Sequence, residues 1–406
     1  MERNKSSIPF VGLHAHSVAG SVFDGFGYPQ DHMDFAYENG MSALALTDHG
    51  NMNGLPYQVL HAKKMKSAGK EFKPIFGVEA YFVPSIKEWK QEYEQAKADK
   101  KKARSLSTDD KVAAEDEDES KAKTKNKINA RRHLVLVAQN QVGLNNIFKI
   151  VSETHQGDNF YRYPRLDYDM LEKYGEGIIA SSACLGGVYA GDYWDNRDDG
   201  EDAILNAMRN TTRRMTSILG DRWFGELQWN NVPEQHSLNK YVIQMAEEFN
   251  IPLISTADSH YPNPEAWKDR ELYKRLGWLG KKAPEYLKSE LPIDVDEMGM
   301  ELYPKNGDQM WAAYKKYSEE CNVSYDDDLV HDSLVKTHWI AHEMIEDFMP
   351  DDTVRLPSFI IPEGEFATET LTKQCIAGLR KLGLDNNEEY VKRLKHEINV
   401  IDDRGF

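Results

Sequence analysis

The stretch Phe10-Val11-Gly12-Leu13-His14-Ala15-His16 joins a short apolar run to two histidines that are two residues apart. Far downstream, Asp258-Ser259-His260 places two further ligand-type side chains at the same spacing after another apolar run. Successive side chains of a strand point to opposite faces, so each pair is expected to lie on one face. Two such strand ends meeting at one place would gather nitrogen and oxygen donors, which is the chemistry of a multinuclear metal site.

Short apolar runs alternate with amphipathic stretches through most of the chain. Helix-like patterns occur at Gln30–Glu38, Tyr57–Ser67 and Glu234–Phe249. This alternation predicts parallel strands with crossover helices, and the number of units favours an α/β barrel of the TIM type. The strand-like runs are Phe10–Leu13, Ser42–Leu46, Pro74–Phe82, His133–Ala138, Gly177–Ser181, Phe224–Gln228 and Pro252–Thr256.

Further candidate ligands stand at or just after the ends of these runs. Asp48-His49 follows one run and Cys184 follows another, which suits a barrel because active sites of such barrels collect at the carboxyl ends of the strands. Asp24 lies in a turn shortly after the first histidine pair. Two candidates fit this pattern less well, since Glu79 lies inside its run and His133 stands at the start of its run.

Each of these residues also has a reading without a metal. Glu79 interrupts a strongly apolar run, where a carboxylate is costly to bury unless it is paired or coordinating, but on an edge strand it could face solvent. Cys184 could be a small buried apolar side chain. Asp48 and Gly50 are common turn residues. The positions at strand ends favour the metal site.

The composition limits the class of protein. The chain has 406 residues, with 50 Lys+Arg against 67 Asp+Glu, and a net charge of −17 excludes a generic nucleic-acid coat without excluding an enzyme that meets nucleic acid locally. Three cysteines argue against a disulfide scaffold and for the reducing cytoplasm. No apolar run is long enough to cross a bilayer, and residues 1–9 have no signal-peptide core.

Two regions differ from the barrel pattern. Residues 87–132 contain blocks of like charge and few apolar side chains, which predicts a flexible or loosely helical surface insertion that could touch DNA or be a solvated linker. Beyond about residue 285 the chain predicts helices at Met310–Asn322, Leu329–Phe348, Thr368–Lys381 and Glu388–Ile401. We therefore expect a barrel domain over residues 1–285 and a mostly helical extension over residues 286–406.

Several separated motifs then resemble those of one known family, the PHP (polymerase and histidinol phosphatase) domain, in the form found at the start of bacterial-type DNA polymerase III alpha subunits. The motifs occur in the family's order and extend over nearly the whole chain apart from the charged insertion. They are Leu13–Ser17, Leu46–Asn51, Gly77–Tyr81, Asn140–Asn146, Tyr163–Asp167, Ser182–Gly187 and Thr256–Tyr261.

The resemblance implies a distorted (β/α)7 barrel with a metal cluster at one end and a metal-dependent phosphoesterase activity, plausible as 3′→5′ exonuclease proofreading. Two or three divalent ions are implied, Zn²⁺ and/or Mn²⁺, with Fe²⁺ or Mg²⁺ as alternatives. The resemblance adds most to the assignment of His133 and Cys184 as ligands, because spacing alone would not have chosen them. Carried over by position, the ligands are His14, His16, Asp24, His49, Glu79, His133, Cys184, Asp258 and His260.

A metal of this kind lowers the pKa of bound water to roughly 7, which supplies hydroxide as the nucleophile at neutral pH. Asp258 or His260 is the candidate for assisting the leaving oxygen. The segments Glu301–Tyr303, Arg355–Pro357 and Glu389–Phe406 resemble the stretch that leads into the polymerase palm. The family's palm aspartates come after this point, so we expect the polymerase half to be supplied elsewhere, in a longer protein, a split subunit or a viral relative.

Three functions follow as hypotheses. The first is a nuclease within a replicative polymerase, with the 3′ end of a DNA primer, the remaining polymerase half and other replisome subunits as partners, and no membrane. The second is a catalytically silent scaffold that the metals stabilise and that supports the polymerase or a proofreading subunit. The third is a small-molecule phosphatase of the histidinol-phosphatase kind, against which the palm-like tail and the insertion argue.

Overall fold

The structure is a computed structural model that describes residues 3–105, 131–279, 301–351, 353–354, 359–361 and 363–405, with the backbone alone for residues 100–105. The chain divides into two compact units, Met1–Pro350 and Asp351–Phe406. The domain boundary predicted at residues 285 and 286 lies outside the described residues and stays a prediction, as do the structures of the central part of the charged insertion and of Arg355–Pro357.

Eight strands and a series of helices make up the described chain. The strands are β1 (Ala43–Leu46), β2 (Lys73–Phe82), β3 (Arg132–Ala138), β4 (Phe160–Tyr161), β5 (Tyr163–Leu166), β6 (Ile178–Ser181), β7 (Trp223–Gln228) and β8 (Leu253–Thr256). The helices of the first unit are α1 (Pro29–Glu38), α2 (Leu55–Ser67), α3 (Ile86–Ser105), α4 (Gln141–Thr154), α5 (Tyr168–Tyr174), α6 (Val188–Asn196), α7 (Glu201–Leu219), α8 (Pro233–Phe249), α9 (Trp267–Leu276), α10 (Gly307–Glu320), α11 (Asp327–Trp339) and a π-helical turn (Ile340–Met344).

The sheet curls into a ring that the segment around residues 12–16 closes. The strands β1, β2, β3, β6, β7 and β8 are hydrogen-bonded in that order. The closing segment pairs with β1 through Gly12 and Leu44, and with the end of β8 through Ala15 and Ser259. The amide of His16 donates to the oxygen of Ser259 at 2.7 Å, which completes a seven-membered distorted barrel as predicted.

One strand of the ring runs opposite to the others. β3 is antiparallel to both β2 and β6, whereas β1 pairs with β2, β6 with β7 and β7 with β8 in parallel. The expectation of parallel strands throughout is therefore wrong for β3. The reversal explains the position of His133, because the first residues of an antiparallel strand lie at the same end of the barrel as the last residues of its neighbours.

The alternation of side chains along the strands separates two apolar cores. Ile75 and Val137 belong to the core inside the barrel, while Phe76 and Leu136 belong to the core between the sheet and the helices. Residues of the π-helical turn, including Ile340, contribute to the inner core. Above this apolar layer the inward positions of the strands carry polar groups, and there the site lies.

The helix α3 accounts for the start of the predicted charged insertion. Ile86 and Trp89 in its first turn are buried in the outer core, so this part of residues 87–132 is regular helix packed on the barrel. The last residue of the predicted insertion, Arg132, is the first residue of β3. The expected loose surface insertion is therefore confined to the residues between α3 and β3. Of these, residues 106–130 lie outside the described part of the chain.

The second unit contains the helices α12 (Ala367–Lys381) and α13 (Glu388–Asp403), close to the predicted Thr368–Lys381 and Glu388–Ile401. The hydroxyl of Thr368 donates a hydrogen bond to Oδ1 of Asp402 at 2.5 Å, which connects the start of one helix to the end of the other. Among the residues described, no helix has the length and apolar character required to span a membrane.

Candidate metal centre

The structure brings all nine residues of the predicted ligand set together at the carboxyl end of the barrel. A chain of contacts of 3.7 Å or less between side-chain donor and acceptor atoms connects every one of them to the others. We call this set the nine-residue cluster; its members are His14, His16, Asp24, His49, Glu79, His133, Cys184, Asp258 and His260.

Glu79 is the centre of the cluster. Its Oε1 atom lies 3.3 Å from Nε2 of His14 and 2.9 Å from Nδ1 of His133. Its Oε2 atom lies 2.5 Å from Nδ1 of His49 and 3.7 Å from Nε2 of His16. The carboxylate is fully buried, and β2 continues past it to pair with β5. Glu79 therefore faces the barrel interior, which excludes an edge-strand glutamate turned to solvent.

Asp258 and Asp24 are the other two carboxylates of the cluster. Oδ1 of Asp258 lies 3.3 Å from Nε2 of His14 and 3.2 Å from Nε2 of His16. Oδ2 of Asp24 lies 3.2 Å from Nε2 of His49, and the Asp24 side chain is 41% exposed. The guanidinium of Arg270 donates to both the main-chain oxygen and Oδ1 of Asp24, at 2.8 and 2.7 Å. This buried arginine fixes Asp24 at the mouth of the site.

Cys184 and His260 complete the cluster at its two ends. The sulfur of Cys184 lies 3.6 Å from Nδ1 of His133 and accepts a hydrogen bond from the amide of Gly186. Nδ1 of His260 donates to the main-chain oxygen of Asp258 at 2.7 Å, so that its Nε2 presents a lone pair to the cluster. Asp258 itself has φ of +47°, a left-handed conformation that aspartate tolerates better than most residues.

The donor set fits divalent metal ions. Buried polar atoms are normally hydrogen-bonded, yet six cluster atoms are buried without such a bond: Nε2 of His14 and His16, Nδ1 of His49, both carboxylate oxygens of Glu79, and Oδ1 of Asp258. Such atoms grouped face to face are what a cation satisfies. Three overlapping triplets have ligand atoms within 4.8 Å of one another: His16, His49 and His260; His14, His16 and Glu79; and His49, Glu79 and His133.

The electrostatics of the cluster show how its charges balance. Burial works against the charged carboxylate of Glu79, but His133 and His49 outweigh it and hold the pKa of Glu79 well below its usual range. Burial likewise disfavours protonated His49, but Glu79 and Asp24 raise the pKa of His49 to about 10. Burial and the neighbouring His49 lower the pKa of His16. Protons on some histidines thus compensate the buried carboxylates, and cations would replace those protons.

Cys184 differs from the other ligands. Burial and the nearby carboxylates of Asp258 and Glu79 raise the pKa of the Cys184 thiol well above its usual value. A thiol in this environment stays protonated unless a cation offsets the negative field. Its participation in the site therefore depends on a metal rather than on the protein alone.

Asp48, a candidate from the sequence, does not join the cluster. Its carboxylate accepts hydrogen bonds from the amide and hydroxyl of Ser17, at 2.6 and 2.9 Å, and from the hydroxyl of Ser21 at 2.9 Å. Neighbouring residues at a strand end face opposite ways, so His49 enters the cluster while Asp48 turns to the loop at residues 17–21. The structure thus does not bring Asp48 into the cluster, and the residue instead fixes the loop before Asp24.

Glu226 is a site residue that the sequence reading missed. It lies on an inward position of β7, is buried, and accepts hydrogen bonds from Nδ1 of His14 at 2.8 Å, Thr256 at 2.6 Å, Gln228 at 3.0 Å and Ser181 at 2.5 Å. The sequence could have indicated Glu226, because a carboxylate inside an apolar strand-like run is as unusual here as at Glu79.

Comparisons with known proteins agree on one family. The PHP domain family matches residues 12–228. The DNA polymerase III subunit alpha of Aquifex aeolicus is 30% identical over 406 residues, covering 98% of this chain and 30% of the relative. The protein of the same name from Borreliella burgdorferi is 29% identical over 404 residues, covering 98% of this chain and 29% of its own length.

The chain thus spans about 30% of the length of these curated relatives. Among solved structures, an amidohydrolase from Chromobacterium violaceum with bound sulfate and no metal aligns at a TM-score of 0.31 and 16% identity, over 65% of this chain and 96% of that chain.

Proposed function

Because the chain belongs to the PHP domain family, we propose that its nine-residue cluster is the centre of a metal-dependent phosphodiesterase that removes nucleotides from the 3′ end of DNA. We place this activity in a replicative polymerase of the DNA polymerase III alpha type. The extent of the similarity to subunits of that name, 98% of this chain, supports this setting. The partners would be the primer 3′ end, the remaining polymerase half and other replisome subunits, in the cytoplasm.

The observation that carries the proposal is the set of six buried ligand atoms without hydrogen bonds, each of which lies 2.5–3.7 Å from another of the set. A structural cluster would be expected to satisfy such atoms with protein donors, as Glu226 does beside it. The mixture of imidazole, carboxylate and one thiol suits Zn²⁺, Mn²⁺ or Fe²⁺ better than Mg²⁺, which prefers oxygen donors. When bound, such ions would polarise a phosphodiester and activate water for attack on phosphorus.

The protein groups divide into holding and reacting roles. Glu79 and His14 are fully buried and would hold ions, while Asp24, with its side chain 41% exposed, lies where a substrate can enter. The contacts of Asp258 to His14, His16 and His260 all run through Oδ1, so we assign Oδ2 to the substrate side, as acceptor of the proton of the attacking water. His260 would be a ligand through Nε2, because its Nδ1 proton is engaged by the main chain.

The test is nucleotide release from a 3′-labelled primer in the presence of Mn²⁺ or Zn²⁺, with Asp258→Asn as the variant. We expect release by the parent chain and its loss in Asp258→Asn, with the metal content of the variant measured in parallel. The matched control is Asp221→Asn, on a turn outside the cluster. Release that persists in Asp258→Asn would contradict the proposal.

The scaffold reading predicts a different outcome of the same experiment. Most of the cluster is buried, so bound metal would also stabilise the fold, and a chain that binds metal and melts higher with it but releases no nucleotide in any metal would be a scaffold. Rapid hydrolysis of phosphate monoesters without action on DNA would instead favour a small-molecule phosphatase.

The predicted helical extension, residues 286–406, belongs to the same proposal. We propose that residues 286–406 are the beginning of the catalytic part of such a polymerase. The support is that the similarity to the Aquifex aeolicus subunit continues over 98% of the chain, beyond the residues that the PHP family matches.

A further inference from the structure

A row of aromatic rings leads from the nine-residue cluster towards the surface. The ring of Tyr81 is nearly parallel to that of His49, with centroids 6.1 Å apart and 17° between the planes. The ring of Tyr163 meets Tyr81 edge to face at 5.2 Å. The guanidinium of Arg131 lies over Tyr163, with Cζ 4.1 Å from the ring centroid, and 5.8 Å from that of Tyr81. A cation and two phenol rings thus stand directly beside a ligand of the cluster.

The two tyrosines are only partly buried, and Arg131 is exposed. Two partly exposed aromatic rings next to an exposed arginine offer a surface that a ligand could cover. Because these rings lie beside the cluster, a ligand that covers them would extend towards the cluster.

The segment that carries Tyr163 is held rigid from below. The strands β4 and β5 form a hairpin whose tip, Arg162, has φ of +61°. Arg165 is fully buried and donates through Nη1 to the main-chain oxygens of Tyr161 and Tyr163, at 2.8 and 3.2 Å. Its guanidinium also lies 4.2 Å from the ring centroid of Trp89. A buried arginine that fixes two carbonyl groups of a hairpin tip gives Tyr163 one position, as a preorganised binding surface requires.

We propose that Arg131, Tyr163 and Tyr81 form a binding site for single-stranded nucleic acid, which stacks its bases on the tyrosines, places a phosphate on Arg131 and leads its 3′ end to the cluster. The inference rests on the proposed function and names the form of its substrate. Single-strand sites combine cations that follow the backbone with aromatic rings that stack the bases. On a chain of net charge −17, a local cation of this kind is needed to offset the general repulsion of phosphate.

The test is equilibrium binding of a fluorescent oligothymidylate whose 3′ linkages are phosphorothioates, so that hydrolysis does not interfere. Tyr163→Ala is expected to weaken binding by at least about fivefold, since stacking of one base is lost, while Tyr163→Phe retains most of the affinity. Arg131→Gln is expected to weaken binding and to reduce the salt dependence by about one phosphate contact. A blunt duplex is expected to bind more weakly than the single strand.

The matched control is Arg197→Gln, which removes another arginine that lies over an aromatic ring, that of Trp194 at 5.1 Å, beyond the far end of α6. It is expected to bind like the parent chain. Equal affinity in the parent chain, Tyr163→Ala and Arg131→Gln would overturn the proposal, and so would an equal loss in Arg197→Gln. Arg131 is exposed, so its variant tests the site even if Tyr163→Ala fails to fold.

A second substrate separates this inference from the proposed function. A small diester, bis(4-nitrophenyl) phosphate, reaches the cluster without a strand, so Tyr163→Ala is expected to lose a much larger fraction of its activity on DNA than on this diester. If the parent chain hydrolyses neither substrate but binds the oligonucleotide through Tyr163 and Arg131, the proposed function fails and the binding site stands. If the parent chain hydrolyses both and the variants do so equally, the binding site fails alone.

Discussion

Nδ1 of His14 donates a hydrogen bond of 2.8 Å to Oε1 of Glu226, and this contact fixes which nitrogen of His14 faces the nine-residue cluster. With the proton on Nδ1, the lone pair lies on Nε2, 3.3 Å from both Glu79 and Asp258. A carboxylate behind a ligand histidine orients the ring and raises its basicity. Glu226 is therefore a positioning residue, and it acts through His14.

Glu226→Gln is expected to lower metal affinity by about 10- to 100-fold, because the amide cannot accept all four hydrogen bonds of the carboxylate and leaves the tautomer of His14 undefined. Competition with a chromophoric chelator measures the affinity. Glu247→Gln, on the exposed face of α8, is the control and should bind metal normally. An unchanged affinity in Glu226→Gln would show that His14 is positioned by other contacts.

Metal removal is expected to lower the melting temperature. At a free metal concentration of 100 times Kd, binding to the native state alone stabilises it by about 2.7 kcal/mol, which corresponds to a shift of several degrees. Glu79→Gln should lose this metal-dependent increment, since Glu79 contacts four histidines of the cluster. Differential scanning fluorimetry with and without chelator measures it, and Glu234→Gln on an exposed turn of α8 should keep the full increment.

The buried His32 is expected to contribute to acid unfolding. Burial lowers its pKa to about 4, and its Nε2 donates to the main-chain oxygen of Phe26 at 2.9 Å. Between pH 4 and 6.5 the unfolded chain binds a proton at this residue that the native chain does not, so stability falls as the pH falls through this window. Over the whole window the loss is about 3 kcal/mol.

The measurement for His32 is the free energy of unfolding in urea at pH 4.5 and pH 7. His32→Gln should be less stable than the parent chain at pH 7 but should show a smaller difference between the two pH values. His155→Gln, at an exposed position, should keep the parent difference. A difference in His32→Gln as large as that of the parent chain would mean that the residue is protonated in the native state.

Asp48→Ala is expected to destabilise the fold by about 2–3 kcal/mol, because three hydrogen bonds from Ser17 and Ser21 are lost and their donors are left buried. The loop before Asp24 should loosen, and metal affinity should fall less than in Glu79→Gln, since Asp48 lies outside the nine-residue cluster. Chemical denaturation and metal titration of the two variants distinguish the cases. Loss of metal binding in Asp48→Ala as complete as in Glu79→Gln would make Asp48 a ligand after all.

The six strands of the ring could be predicted from the sequence because each depends on a local pattern, and so could α1, α2, α8 and the helices from α10 onwards. The short strands β4 and β5 were not predicted. The run Phe224–Gln228 corresponds to β7, and the predicted Glu234–Phe249 corresponds to α8, which begins one residue earlier at Pro233. The pairs of histidines were equally visible. The direction of β3 was not, because an apolar strand reads the same in both directions, and only its neighbours decide whether His133 or Ala138 lies at the site.

Side-chain direction at the strand ends was the other missing information. Spacing of two identified His14 with His16, but it could not say which member of Asp48-His49 would face inwards. Because side chains alternate along a strand, only one of these two neighbours can face inwards, so the pattern should have been taken to predict a single ligand. Cys184 depended on the family resemblance, because a lone cysteine after a strand has no pattern of its own.

The reversal of β3 also decides where new sequence can enter this protein. In an all-parallel barrel, the connection leading into a strand arrives at the end remote from the chemistry. Here the connection into β3 arrives through Arg131, beside Tyr163 and the cluster. Lengthening or shortening the chain before this strand therefore changes what stands at the mouth of the site while leaving the barrel core unchanged.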